Sequence, residues 1–98
     1  MGKRFSQKKK FNKTNIEKIP EDKPIIYKIK NLKGENIYTG IAGKSRIKDR
    51  LKEHLLGNKD VILGAKSFSI KQKTSIEDAK LEEKIIIKKE NPKYNQQE

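Results

Sequence analysis

Two neighbouring stretches of the chain have features typical of β-strands, and in the first of them apolar and polar residues alternate. In the first stretch Ile25, Tyr27 and Ile29 occupy every second position, and a second β-prone stretch covers residues 36–41. The intervening residues 31–34, Asn-Leu-Lys-Gly, favour a tight turn. The pattern therefore predicts a β-hairpin.

The apolar residues that follow have helical spacing. Ile47, Leu51 and Leu55 recur at intervals of four and fall on one face of a helix. We therefore predict a helix from Arg46 to about Leu56, with the hydroxyl of Ser45 as its N-cap.

A third strand and a second helix are predicted in the last third of the chain. Residues 67–73 alternate again, and Thr74 with Glu77 has the spacing of a capping box. The helix should end before Pro92, because the residue before a proline avoids helical dihedral angles. The predicted order is β-β-α-β-α, an α+β arrangement with a small core about two layers deep.

The first 23 residues lack such a pattern. They hold eight basic and three acidic residues, including Lys8, Lys9 and Lys10 in succession. We therefore expect residues 1–23 to form a basic, flexible tail and residues 24–98 to form one folded domain.

The charge balance indicates a partner class. The 98 residues include 25 basic and 13 acidic side chains, a net charge of +12, which favours nucleic acid as a partner. The alternative is that the lysines only solvate the surface. With 32% hydrophobic residues, no membrane-spanning stretch and no cysteine, we expect a soluble, cytoplasmic protein that does not bind membranes.

One acidic residue interrupts an apolar face of the second predicted helix. The apolar arc consists of Ile76, Ala79, Ile86 and Ile87. Glu83 falls in the middle of this arc, where a carboxylate needs a cation or an arginine as partner. In the alternative, Leu81 and Ile85 mark the buried face and Glu83 lies in solvent.

Four further residues could take part in phosphate chemistry. Arg50 and His54 are four residues apart on the first predicted helix, so they can reach one ligand. Tyr27 and Tyr38 lie on the two hairpin strands and could position or deprotonate a water molecule. Ordinary packing is the alternative explanation for the tyrosines, and a rim position for the Arg-His pair.

Taken together, these spacings resemble the GIY-YIG nucleases, which include homing endonucleases and the nuclease module of bacterial excision repair. Residues 25–27 (Ile-Ile-Tyr) and 38–40 (Tyr-Thr-Gly) stand where the two signature tripeptides would be. Arg50 with His54, Glu83, and residues 92–95 (Pro-Lys-Tyr-Asn) match the later motifs in order and spacing. The resemblance covers about residues 25–95, with Ile and Thr replacing the usual Gly and Ile of the two tripeptides.

The resemblance implies a three-stranded antiparallel sheet flanked by helices and an endonuclease that hydrolyses DNA through one divalent ion. Glu83 would hold Mg²⁺ or Mn²⁺, and either Tyr27 or Tyr38 would activate the attacking water. Arg50 would stabilise charge on the phosphoryl group, and His54 would assist or orient.

Three more residues are candidates for contact with the substrate. These are Lys44 and Arg46, in the loop before the first predicted helix, and Asn95, which has either a structural or a substrate-positioning role. A non-catalytic or partner-dependent module that binds DNA or RNA is the main alternative function, and a structural RNA-binding protein is a third. The sequence leaves open the choice between DNA and RNA, the oligomeric state, and a role in DNA repair.

Overall fold

The alternating residues form the predicted hairpin, with strands β2 (Ile25–Lys30) and β3 (Asn36–Ala42). The structure is a computed structural model that describes residues 5–54 and 62–95. The other elements, in chain order, are β1 (Lys9–Lys10), α1 (Lys13–Glu17), α2 (Ile47–Glu53), β4 (Ser67–Gln72), α3 (Ile76–Glu90) and a 3-10 helix (Lys93–Asn95). In these two described stretches, no helix is long and apolar enough to cross a bilayer.

The four strands form one antiparallel sheet in the order β1-β4-β2-β3. The expectation of three strands is corrected by β1, whose residues Lys9 and Lys10 pair with Phe68 and Ser67 of β4. This strand has no apolar residue and both of its residues are exposed, so it carries no alternation that a sequence pattern could reveal.

The N-terminal segment also differs from the expected flexible tail. Asn12 caps α1 through its side chain, which accepts a hydrogen bond from the backbone N–H of Asn15 at 2.9 Å. Ile16 and Ile19 are buried in the main core. The segment of residues 5–23 therefore packs with the folded domain. Its two buried isoleucines attach the short helix to the core.

Helices cover both faces of the sheet, which gives three layers rather than the expected two. Paired residues of an antiparallel sheet share a face. Tyr27 pairs with Gly40 on the face covered by α1 and α2, and Lys28 pairs with Thr39 on the opposite face. The helix α3 packs on this opposite face, where Glu90 forms an ion pair with Lys28 at 3.0 Å.

Both predicted helix caps differ from the observed ones. The N-cap of α2 is Arg46, which makes no side-chain capping bond, and Ser45 adopts a left-handed φ of 68°. The N-cap of α3 is Ser75 rather than Thr74, and its hydroxyl accepts from the N–H of Asp78 at 3.1 Å. The helix α2 ends at Glu53, and the remaining predicted part, residues 55 and 56, lies outside the described residues.

Candidate active site

Three of the predicted site residues form an aromatic cluster between β2, β3 and α2. The hydroxyl of Tyr27 and Nε2 of His54 lie 3.1 Å apart and share a buried hydrogen bond. The ring of Tyr38 lies 5.0 Å from that of His54 and 6.1 Å from that of Tyr27, between centroids. Hairpin pairing places the tyrosines together, and the packing of α2 on the sheet brings the histidine to them.

A glycine allows this close arrangement. Gly40 is the strand partner of Tyr27, and a Cβ atom there would lie 2.6 Å from the Tyr27 hydroxyl oxygen and 2.9 Å from Cε2 of Tyr38. Both distances are far below van der Waals contact. The third residue of the second signature tripeptide is therefore a glycine for a steric reason.

Replacing Gly40 by alanine should destabilise the protein by about 1–3 kcal/mol, because overpacking forces both tyrosines to move. Gly43→Ala is a matched control, since a Cβ there has no neighbour within 4 Å. The free energies of unfolding in urea would be compared for both variants. A Gly40→Ala protein as stable as the Gly43→Ala protein would contradict this steric role.

The environment of Tyr27 holds its phenol in the neutral form. Burial raises the pKa of Tyr27 far above its ordinary value, and the neighbouring Tyr38 adds to this increase. The positive charge of Arg50 and a hydrogen bond to it act in the opposite direction. At neutral pH Tyr27 therefore carries its proton, and it can accept another only if its own proton leaves.

The raised pKa of Tyr27 predicts a loss of stability at alkaline pH. Above about pH 10 the unfolded chain releases a tyrosine proton that the folded protein keeps, so the free energy of unfolding falls as pH rises. Absorbance of phenolate at 295 nm should show Tyr27 ionising only as the protein unfolds. The Tyr27→Phe variant should lack that step, and ionisation of all three tyrosines near pH 10 in the folded protein would disprove the expectation.

Arg50 lies at the edge of this cluster. Burial opposes its charge, but the nearby Tyr27 and Glu53 together raise the pKa of Arg50 above its ordinary value. Its Nη1 donates to Oε1 of Glu53 at 2.9 Å, an ion pair between residues three apart on α2. The guanidinium remains partly exposed, so further N–H groups can reach a phosphate.

Glu83 lies on the buried side of α3, as the apolar arc predicts. Ala79 and Ile86 on that side are buried, whereas Leu81 and Ile85 are each 64% exposed. The alternative, in which Leu81 and Ile85 form the buried face, is therefore wrong. Burial raises the pKa of Glu83, and within the described part of the chain its carboxylate makes no hydrogen bond or ion pair.

The Glu83 carboxylate suits a magnesium ion with one protein ligand better than a metal ion held by several protein side chains. Among residues 5–54 and 62–95, no three His, Asp or Glu side chains gather at a metal-binding distance. Magnesium usually takes one or two carboxylates and completes its shell with water and substrate phosphate. A partly buried carboxylate without an ion-pair partner suits this mode, although no hydrogen bond joins Glu83 to the Tyr27–His54 pair.

The three candidate substrate-binding residues lie in two different parts of the structure. Lys44 and Arg46 are exposed in the loop before α2. The Asn95 side-chain amide forms two hydrogen bonds with the backbone of Thr39. Its Oδ1 accepts from the N–H of Thr39 at 2.7 Å, and its Nδ2 donates to the carbonyl of Thr39 at 2.9 Å. This pair of hydrogen bonds favours the structural alternative for Asn95.

Sequence reasoning did not single out Glu53 or the polar contacts of Thr39. The opposite charges of Arg50 and Glu53 at a spacing of three residues are a signal that could have identified the ion pair. Thr39 is buried and accepts a hydrogen bond from Asn36 at 2.7 Å, and Asn36 also donates to Glu90 at 2.9 Å. No local pattern indicates the contact with Glu90, because it joins residues 54 apart in the chain.

Solved structures similar to this chain include several of the GIY-YIG N-terminal endonuclease domain of UvrC from Thermotoga maritima. No protein-family model and no curated protein matches the chain. A point mutant bound to its catalytic divalent cation is 30% identical, with a TM-score of 0.71 over 86% of this chain and 93% of that chain. The domain bound to magnesium is 29% identical, with a TM-score of 0.69 over 83% and 91%. A second point mutant is 28% identical, with a TM-score of 0.71 over 86% and 93%.

Proposed function

This chain belongs to the GIY-YIG nuclease family, and we propose that it is an endonuclease that hydrolyses DNA phosphodiester bonds with one magnesium or manganese ion. The observation that most supports the proposal is the buried hydrogen bond between Tyr27 and His54, next to Tyr38 and Arg50. Packing alone does not require a histidine at this position. The net charge of +12 favours a polyanionic substrate.

Glu83 would hold the divalent ion, because it is a partly buried carboxylate without an ion pair among the described residues. When bound, the ion would polarise the phosphodiester and favour attack by water. Arg50 would donate hydrogen bonds to the phosphoryl oxygens, where negative charge increases in the transition state. Glu53 would keep the guanidinium oriented through the 2.9 Å ion pair.

The hydrogen bond to His54 favours Tyr27 over Tyr38 as the residue that takes a proton from the attacking water. A neutral phenol is a weak base, but Tyr27 can pass its own proton to Nε2 of His54 as it accepts one from water. This transfer requires the His54 tautomer in which Nε2 is unprotonated. Tyr38 would then orient the water through its ring and hydroxyl.

Nicking of supercoiled plasmid with Mg²⁺ at low salt tests the proposal. The wild-type protein should nick the plasmid, and Arg50→Lys should do so about 100-fold more slowly because lysine lacks the planar donor fork. Lys48→Ala is a matched control on the same helix, since Lys48 faces Glu17 and Glu21 at 3.9 and 4.0 Å. It should retain the wild-type rate.

Two results would overturn the proposal. One is cleavage that persists in EDTA, which indicates a different mechanism or a contaminating nuclease. The other is retention of DNA binding without any nicking in Mg²⁺ or Mn²⁺, which would favour a binding module on the same fold. Equal rates for wild type and Arg50→Lys would remove Arg50 from the mechanism.

A further inference from the structure

The sheet face that carries α3 also carries lysines that the candidate active site does not use. Lys28 and Lys30 point to this face, because residues two apart on a strand share a side. Lys8 comes from the segment before β1, and its Nζ lies 3.5 Å from the position of a Cβ atom on Gly34. Gly34 belongs to the turn after β2, and the charges of both Lys28 and Lys8 act on Lys30, so the three side chains lie near one another at this end of the sheet.

These lysines carry more positive charge than their surroundings neutralise. Glu90 forms an ion pair with Lys28 at 3.0 Å, whereas Lys8 and Lys30 form none with the described residues. Burial lowers the pKa of Lys30, the charges of Lys28 and Lys8 lower it further, and Glu90 opposes them. An anion next to Lys30 would relieve this repulsion.

Two hydroxyl groups of β4 lie beside the same lysines. Ser67 pairs with Lys30, and Ser69 pairs with Lys28, so both serines point to the lysine face. Ser69 is 0% exposed, and the Oγ atoms of both serines are buried without a hydrogen-bond partner in the described part of the chain. A buried hydroxyl without a partner is costly and uncommon in folded proteins, so this pair indicates a ligand that accepts hydrogen bonds.

We propose that Lys8, Lys28 and Lys30, with the hydroxyls of Ser67 and Ser69, form a phosphate-binding site on the sheet face opposite Tyr27 and His54. Phosphate oxygens accept hydrogen bonds from ammonium and hydroxyl groups alike. The ligand would approach from the side of Lys8, which is exposed. A backbone phosphate of a nucleic acid and inorganic phosphate share this chemistry, and the site does not depend on cleavage.

Inorganic phosphate, added to the full chain in EDTA at constant ionic strength, is the first probe. Amide resonances of Lys30, Ser67 and Ser69 should shift saturably in ¹⁵N NMR spectra, and those of α2 should not move. Lys30→Gln should weaken binding about tenfold, because it removes a charged hydrogen-bond donor. Lys33→Gln removes the same charge from an exposed position of the turn and should change the affinity by less than about twofold.

Ser69→Ala separates a ligand contact from a structural role. The hydroxyl has no partner in the free protein, so its removal should leave the Tm unchanged or raise it, while phosphate binds several-fold more weakly. Wild-type affinity in Ser69→Ala would overturn the part assigned to the hydroxyl.

A short DNA duplex in EDTA is the second probe. Shifts of the same amides would identify a backbone phosphate as the occupant, and shifts with inorganic phosphate alone would identify a free phosphate. The absence of saturable shifts with both probes would overturn the proposed site. Equal losses of phosphate affinity in Lys30→Gln and Lys33→Gln would also overturn it. Neither result would bear on plasmid nicking, which is measured with metal present.

Discussion

Replacing Glu83 by glutamine should lower magnesium-dependent nicking by at least about 100-fold, because a metal ion at such a site contributes several kcal/mol to the transition state. Glutamine keeps the shape of the side chain and removes the negative charge. Within the described residues the Glu83 carboxylate has no ion pair to lose, so the fold should remain intact. Nicking rates at a series of Mg²⁺ concentrations, with the Tm of each variant, measure both effects.

The neighbouring Glu82 offers a matched control with the opposite expected result. Its carboxylate binds Lys71 at 2.8 Å and Lys73 at 2.6 Å, and these bonds attach the middle of α3 to the end of β4 and the residue after it. Glu82→Gln should therefore lower the Tm and change the nicking rate by no more than a few-fold. The assignment of Glu83 fails if Glu83→Gln nicks at the wild-type rate, or if both variants lose nicking equally.

Truncating Ile16 to alanine should destabilise the protein by about 2–5 kcal/mol, the usual cost of removing a large aliphatic side chain from a core. Ile16 is 0% exposed and belongs to the main core cluster together with Ile25 and Phe68. Urea unfolding monitored by circular dichroism gives the free energy of unfolding and the slope m. An unchanged m would attribute the loss to the native core.

Thr14 lies on the same short helix and is exposed, so Thr14→Ala is the matched control. It should change the free energy of unfolding by less than about 0.5 kcal/mol. If the segment before β2 were a tail, Ile16→Ala and Thr14→Ala would be equally neutral. That outcome would contradict the packing of α1 against the sheet.

The parts of the fold that sequence patterns predict are those with a repeated spacing. Alternation over six residues is enough to predict β2, and the apolar arc of α3 predicts which side of that helix is buried. The strand β1 and the helix α1 have only two and five residues, and the pair Ile16 and Ile19 is too short a pattern to distinguish from chance. The interactions that order this segment come from Phe11, Ile16 and Ile19 against distant residues such as Phe68.

In the candidate site too, the sequence predicts the contacts that follow from local spacing and not those that depend on tertiary packing. Hairpin pairing places Tyr27 near Tyr38, and helical spacing places Arg50 near His54, so these two local pairs were predictable. The hydrogen bond between Tyr27 and His54 was not, because it depends on how α2 packs on the sheet. The N-cap of α3 lies one residue after the predicted one, since Thr74 and Ser75 are adjacent and both residue types can cap a helix.

The two hydrogen bonds between Asn95 and Thr39 also cover part of one edge of the sheet. The strand β3 is the outer strand next to the tyrosines, and an uncovered outer strand is a template for pairing with another chain. The Asn95 amide occupies one N–H and one carbonyl at the middle of that edge, as a neighbouring strand would. The end of the described chain thus protects the sheet from edge-to-edge aggregation at the point where it carries Tyr38.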